Sequence, residues 1–209
     1  ASYIHSTMPL TNSNEARRSY HSPLREQQAA DTHDRILDGL VSAMADGLAE
    51  VSMPAVAREA GVSVATVYRH FPSKQALFDA MPGYFARRTG TEPLSVPRSM
   101  AELEPMMQRA FEGSERMDPV LRAAIDSPLG DEARRAQMPQ RLEFIQASIE
   151  ALAPSVAEPA RTRLVRLILV LTSSGAMRTW SAAGLNAREA ADDAFWAIQT
   201  ILEAETAKT

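Results

Sequence analysis

The residues most suited to binding chemistry lie in one short stretch of the 209-residue chain. From Gly61 to Leu77 the charged side chains are Arg69 and Lys74, His70 can add a third positive charge, and no acidic residue interrupts them. The whole chain, in contrast, carries a formal net charge of −4. Binding to a polyanion such as DNA must therefore be local, and this stretch is where it is favoured.

Two short helices around a glycine turn are predicted to position this stretch. Ser52 and Ser63 can each cap a helix, because a serine hydroxyl accepts a hydrogen bond from an N–H of the first turn. The helices should cover about residues 53–60 and 64–70, and Gly61 can adopt the left-handed conformation that ends a helix. This is the layout of a helix-turn-helix, whose second helix enters the major groove of DNA.

The flanking segments complete a small helical domain over residues 31–88. Apolar residues at three- and four-residue intervals predict a helix from Asp31 or Thr32 to about Ala49, and a serine can cap a further helix over about 74–88. Pro82 should kink or end that helix. The segment 89–97, with two prolines and a glycine, is the predicted domain boundary.

Residues 1–30 are polar and aperiodic, which predicts a flexible N-terminal extension. The alternative is that its arginines reach phosphates or a minor groove, as the basic arms of other DNA-binding proteins do. These arginines are Arg17, Arg18 and Arg25.

Residues 98–209 have the pattern of helices throughout, and no segment has that of a strand. The fold is therefore predicted to be all-α, with about nine helices. In this half the helices are expected at about 99–113, 118–125, 139–153, 159–183 and 187–206. The segment 127–139 is expected to be a loop with a broken helical turn.

Residues 32–88 also carry a series of motifs with specific spacing. They are Arg35-Ile36-Leu37-Asp38, Ser52-Met53, Ala57-x-x-Ala60-Gly61-Val62-Ser63 and Thr66-Val67-Tyr68-Arg69-His70-Phe71-Pro72-Ser73-Lys74-x-x-Leu77. With these motifs the segment resembles the DNA-binding domain of the tetracycline-repressor (TetR) family of bacterial transcription regulators. The resemblance implies a dimer that binds a palindromic operator in double-stranded DNA. It also implies that a small molecule in the C-terminal domain, residues 98–209, causes release.

The resemblance assigns DNA contacts to eight residues of the helix-turn-helix and of the helix that follows it. They are Ser52, Ser63, Val64, Ala65, Thr66, Tyr68, His70 and Lys74. Val64 and Ala65 suggest apolar contact with thymine methyl groups. Three of the eight have an alternative reading: Tyr68 could be a half-buried core residue, His70 could brace the turn, and Lys74 could be an ordinary solvated charge.

The composition argues against an enzyme. The chain has no cysteine, and its four histidines all lie outside residues 98–209, so that half has no histidine for acid–base catalysis or metal binding. It also lacks a glycine-rich phosphate loop and the motifs of serine hydrolases and zinc proteases. We expect no catalytic activity, no metal and no cofactor.

The C-terminal half is instead rich in methionine and aromatic residues, which are usually core residues but also suit an adaptable pocket. We expect an apolar or amphipathic effector near Phe111, Phe144, Met177 and Trp180. The helices at about 160–183 and 187–206 have wider apolar faces than a monomer core needs. They predict a homodimer through a bundle of four helices, two from each subunit.

The sequence therefore predicts a ligand-responsive, DNA-binding transcriptional regulator, most simply a repressor. No apolar run approaches the roughly 18 residues of a membrane span, and no signal peptide is visible, so a cytoplasmic location without membrane contact is expected. The alternative is a helical protein-interaction module on the same fold that has lost DNA binding, which the negative net charge would allow.

Overall fold

The computed structural model describes residues 23–47, 52–91 and 94–208, which form eleven α-helices and no β-strand. The all-α prediction is confirmed, and this part of the chain has two helices more than the nine expected. The helices are α1 (Pro23–Ala45), α2 (Met53–Ala60), α3 (Val64–His70), α4 (Lys74–Thr89), α5 (Met100–Glu115), α6 (Pro119–Asp126), α7 (Pro128–Ala136), α8 (Met138–Leu152), α9 (Ala160–Leu171), α10 (Ser174–Ala182) and α11 (Ala187–Thr206).

Helix α1 begins earlier than the sequence predicted. It starts at Pro23, so the last part of the extension expected to be flexible is helical. Every residue from 24 to 31 is exposed, so these turns have no apolar periodicity that could reveal a helix. Residues 1–22, including Arg17 and Arg18, lie outside the described residues, and so do residues 48–51 beyond the C-terminal end of α1.

Helices α1–α4 surround one apolar core, and this core also includes residues of α6 and α7. Its buried side chains include Ile36, Leu37, Leu40 and Met44 of α1, Val56 of α2, Val67 of α3, Leu77 and Met81 of α4, Leu121 of α6 and Leu129 of α7. Each fully buried aliphatic side chain contributes roughly 1.5–3 kcal/mol. The helix-turn-helix is thus joined to the C-terminal half by buried apolar contact as well as by the linker.

Helix α4 does not end at Pro82, contrary to one of the two expectations for that residue. It continues to Thr89, where Gly90 caps it. A proline inside a helix has no N–H for the carbonyl four residues earlier, here that of Phe78. In the structure Gln137 Nε2 donates a 2.5 Å hydrogen bond to this carbonyl. The acceptor freed by Pro82 is therefore satisfied by a residue from the junction between α7 and α8.

The remaining helices pack around a second core formed by α5, α8, α9 and α11. Its most buried side chains include Phe111 of α5, Ile149 of α8, Leu164 of α9, and Ala191, Ala194 and Ile198 of α11. Helix α11 has a complete capping box, in which Asn186 accepts from Glu189 N and Glu189 accepts from Asn186 N. The predicted last helix is confirmed.

Two predictions for the C-terminal half are wrong. The expected loop over 127–139 contains α7, which begins with Ser127 as its cap: Ser127 Oγ accepts from Gly130 N at 3.1 Å. The single long helix expected over 159–183 is two helices. They are separated at Thr172 and Ser173, because Ser173 Oγ caps α10 by accepting from Ala176 N at 3.0 Å. No helix in the described ranges is long and apolar enough to cross a membrane.

Candidate nucleic-acid interface

Helix α2 is capped at both ends. Ser52 Oγ accepts a hydrogen bond from Ala55 N at 3.2 Å, as its predicted role as a cap requires. At the other end Gly61 has a φ of 63°, and its N–H donates to Arg58 O at 3.1 Å. Because a hydroxyl can accept one hydrogen bond and donate another, the exposed Ser52 keeps its own proton for a DNA phosphate.

Arg35 of α1 stabilises the glycine turn through two hydrogen bonds. Its Nη2 atom lies 3.0 Å from Ala60 O and 3.3 Å from Gly61 O and donates to both carbonyls. These are carbonyls at the C-terminal end of α2, where a helix leaves acceptors without internal partners. Arg35 was part of the motif, but its partners lie 25 and 26 residues away, so spacing alone could not reveal this role.

Helix α3 has one side that packs and one side that faces solvent. Val67 is fully buried and Phe71, just beyond the helix, is 3% exposed, so these two fix the helix to the core. On the opposite side Val64 is 38% and Tyr68 51% exposed, and Ala65 is also exposed. The side chains predicted to meet DNA are therefore on the surface, and the reading of Tyr68 as a core residue does not hold.

The hydroxyl groups at the start of α3 are engaged in capping. Ser63 Oγ accepts from Thr66 N at 3.1 Å and lies 2.9 Å from Thr66 Oγ1. The paired hydroxyls share one hydrogen bond and retain further capacity for an acceptor or a donor outside. The N-terminal end of the helix is thus both rigid and polar, which suits close approach to base edges or phosphates.

His70 lies at the C-terminal end of α3 and is half-buried. Burial lowers its pKa below the usual 6.5, and the positive charge of Arg69 and the nearby His33 lower it further. At neutral pH the imidazole is therefore uncharged. It can offer a phosphate a hydrogen bond, but not the full positive charge that the sequence allowed.

Lys74, the eighth predicted contact, has its ammonium group beside a carboxylate of another helix. Its Nζ atom lies 2.7 Å from Glu132 Oε1 of α7 and 5.5 Å from the centre of the Phe78 ring. The structure thus brings seven of the predicted residues together around α2 and α3 and directs Lys74 toward the C-terminal half.

Arg69 is a candidate contact that the sequence did not assign to the site. It is exposed next to Tyr68 and forms no hydrogen bond or ion pair with another described residue. Its guanidinium is therefore available to a phosphate oxygen. The signal in the sequence was the local excess of positive charge.

The comparison with known families agrees with this geometry. Residues 36–81 match the family model described as bacterial regulatory proteins, tetR family. Residues 36–81 therefore form a TetR-family domain. The matched range runs from the buried part of α1, through the helix-turn-helix, into α4, so the TetR match covers the elements that build the interface. No curated protein matches the chain. A DNA-binding domain of this family indicates a transcriptional regulator rather than an enzyme.

The four predicted effector residues pack in the second core. Phe111 is buried, and its ring centre lies 5.7 Å from that of Trp180. Phe144 and Met177 are half-buried against the same core. The structure thus brings these residues into one apolar neighbourhood.

Proposed function

We propose that this regulator is a homodimeric repressor that releases a palindromic operator when a small molecule binds its C-terminal domain. The observation that carries the proposal is a cavity of about 130 Å³ between the two halves of the chain. Met44 of α1 and Met81 and Phe85 of α4 form one wall, while residues of α6, α7, α8 and α10 form the other. A molecule in this cavity would touch the two helices that hold the helix-turn-helix.

Polar contacts also join α4 to the C-terminal half. Arg88 Nη2 of α4 donates to Asp118 Oδ2 at 2.6 Å, and Asp118 is the cap of α6. Arg116 Nε donates to Thr89 O at 2.7 Å. An exposed ion pair such as Arg88–Asp118 contributes only about 0–1 kcal/mol, and a typical hydrogen bond about 0.5–1.5 kcal/mol. They therefore fix a geometry that an effector could shift at modest cost.

The dimer part of the proposal rests on apolar surface left uncovered in one chain. Leu167 and Val170 of α9 are 43% and 64% exposed, and Trp196 of α11 is 68% exposed. Large exposed apolar side chains grouped on neighbouring helices mark an interaction surface. A second copy related by a twofold axis would cover them with the same helices, about 160–183 and 187–206 in the sequence prediction.

The mechanism follows from the symmetry of such a dimer. Two α3 helices must lie about 34–36 Å apart, or a multiple of this, to enter successive turns of the major groove. An effector that binds more tightly to a conformer with another spacing lowers operator affinity by its difference in affinity for the two conformers. Because α4 forms part of the cavity wall, it is the helix through which this change reaches α3.

DNA binding is tested with an operator selected from a random pool of duplexes by the full chain. Affinity for the selected duplex should fall steeply with added salt, because phosphate contacts release counterions. Arg69→Ala should lower affinity about tenfold and reduce the slope of log affinity against log salt by about 1. Arg135→Ala, at an exposed position on α7, is the matched control and should leave both values unchanged. Selection that enriches no duplex would contradict the proposal.

The direct contacts have their own test. Replacing thymine by uracil in the selected operator removes the methyl groups that Val64 and Ala65 would meet. We expect weaker binding when thymines that contact these residues are replaced and unchanged binding when other thymines are replaced.

Light scattering at micromolar concentration tests the proposed homodimer. A molecular mass equal to that of one chain would contradict it.

A further inference from the structure

The polar side chains of the cavity between the halves have one sign of charge. Arg134 and Arg141 contribute two guanidinium groups, and Gln137 and Ser174 contribute neutral polar groups. No acidic residue is among the described residues that line it. Ser174 is the first residue of α10, so the partial positive charge of that helix end has the same sign. The cavity thus favours an anion.

The two arginines differ in how fully their donors are used. Arg134 donates to Ile125 O at 2.5 Å and pairs with Asp131, so its charge is already balanced. Arg141 uses only Nη2, which donates to Thr172 O at 2.5 Å and to Thr172 Oγ1 at 3.2 Å. It forms no ion pair with any carboxylate in the described ranges. Its positive charge is not balanced.

The remaining nitrogens of Arg141 are not completely buried. The described part of the chain contains no buried side-chain nitrogen or oxygen without a hydrogen-bond partner. Since Nε and Nη1 of this half-buried arginine have no protein partner, they are accessible. Burial lowers the pKa of Arg141, as is typical of a cation held without an opposite charge. The free N–H groups of this guanidinium can donate charge-assisted hydrogen bonds to a carboxylate.

The apolar residues that line the cavity indicate what the uncharged part of the ligand should be. Met44, Met81, Phe85 and Ile125 supply apolar walls, and methionine side chains adapt to ligand shape. An inorganic phosphate would bring its charge against these apolar walls. A carboxylic acid with a short hydrocarbon part would instead pair its carboxylate with the guanidinium and pack its hydrocarbon part against the apolar walls. The volume of about 130 Å³ is well below the roughly 300–1,000 Å³ of pockets for drug-sized ligands, so the acid must be short.

We propose that Arg141 binds the carboxylate of a short aliphatic acid in this cavity and that this acid is the effector. The inference rests on the proposed function for its regulatory part and narrows the effector to an amphipathic anion. The carboxylate lies at α8 and α10, while the hydrocarbon part touches α1 and α4. Gln137 also lines the cavity and donates to Phe78 O of α4. A ligand that contacts Gln137 can therefore affect α4 through this hydrogen bond as well as by direct contact.

The test uses acetate, propanoate, butanoate and hexanoate against the full chain in titration calorimetry, with the corresponding amides as neutral counterparts. We expect at least one acid to bind about tenfold or more tightly than its amide, because an amide lacks the charge that pairs with Arg141. This comparison needs no variant, so it does not depend on the folding of one. An absence of binding by every acid, or equal binding of acid and amide, would overturn the proposal.

Variants then identify the residue. Arg141→Gln should weaken the acid about tenfold or more and leave the amide unchanged, while Arg135→Gln removes an equal charge from the exposed surface and should leave both unchanged. Thermal unfolding checks that Arg141→Gln is folded. An acid that binds equally to the native chain and to folded Arg141→Gln would also overturn the assignment.

The regulatory part is measured with the selected operator. The best acid should weaken operator binding by the native chain and not by Arg141→Gln. If the chain binds the acid but no duplex, the proposed function fails and the site stands. If it binds a duplex that no acid releases, the site fails as the effector site while DNA binding stands.

Discussion

Helices α2 and α10 are of nearly equal length, eight and nine residues, but they differ completely in burial. Helix α2 buries Met53, Ala55, Val56, Ala57 and Ala60, whereas no residue of α10 is buried. Isolated helices this short are unstable in water, so packing must supply the stability of both. For α2 the same chain supplies it. For α10 the chain supplies only half-buried contacts such as those of Met177 and Trp180, and the proposed second subunit or effector would add to them.

The contrast extends to the regions around the two helices. Around α2 the turn carbonyls are bonded by Arg35, and even the acceptor freed by Pro82 has a donor. Around α10 the neighbouring apolar side chains of α9 and α11 are exposed. A tightly packed helix-turn-helix is thus combined with a C-terminal region whose apolar side chains are left exposed in one chain. Substitutions in the two regions should therefore have different consequences for folding and for assembly.

The tight packing of α1 on α2 is tested by Gly39→Ala. A Cβ atom there would lie 2.6 Å from Ala60 N, and backbone cannot move away cheaply. We expect a loss of about 3 kcal/mol in the free energy of unfolding, measured with urea. Gly83→Ala in α4 is the control, because its Cβ would meet only Arg87 Nη1 at 3.7 Å. That variant should gain about 1 kcal/mol from helix propensity.

The open surface near α10 is tested by Val170→Asp. The residue is 64% exposed in one chain, so the folded monomer should tolerate the change. Dimer dissociation should become about 2 kcal/mol easier, or roughly thirtyfold, because an unpaired charge would be buried. Val120→Asp on α6, which is 50% exposed, is the control. Equal effects of the two variants in analytical ultracentrifugation would place the interface elsewhere.

The hydrogen bond that replaces the one lost at Pro82 is tested by a double-mutant cycle. Gln137→Leu leaves Phe78 O without a donor and should cost about 1.5 kcal/mol of unfolding free energy. With Pro82→Ala the helix supplies its own N–H, so the cost of Gln137→Leu should fall by about 1 kcal/mol. Additive effects of the two changes would mean that Gln137 does not serve the carbonyl freed by the proline.

The smallest difference is expected at two helix caps of equal geometry. Ser63→Ala should cost about 1 kcal/mol of unfolding free energy, because α3 is part of the main core, and Ser63→Gly only a few tenths. Ser173→Ala should change monomer unfolding by less than about 0.5 kcal/mol, since α10 contributes little packing in one chain. A cost of Ser173→Ala equal to that of Ser63→Ala in the monomer would show that α10 is as well supported as α3.

The sequence predicted well those features whose causes are local. Ser52, Ser63 and Ser73 cap the helices that were expected, because a cap and its donor lie three residues apart. Likewise Tyr68, which the resemblance assigned to DNA, is exposed. The motif and these caps were sufficient to predict the candidate interface, apart from the roles of Arg35 and Arg69.

The features that were missed depend on distant residues. The segment 127–139 was expected to be a loop, but Gly130 is buried where α7 begins, and the backbone carbonyl of Ile125 leaves no room for a Cβ there. The partner of Lys74 is 58 residues away and the donor to Phe78 O is 59 residues away. The cavity combines residues from six helices. No local pattern contains that information.

The two-sided character of α3 has a consequence for changing the protein. Val67 and Phe71 hold the helix in place, whereas Val64, Ala65 and Tyr68 are exposed and support no core contact. The proposed DNA contacts and the stability of the fold therefore depend on separate residues. If these contacts select the operator as proposed, the three exposed positions can be exchanged as a set to redirect the protein without refitting its interior.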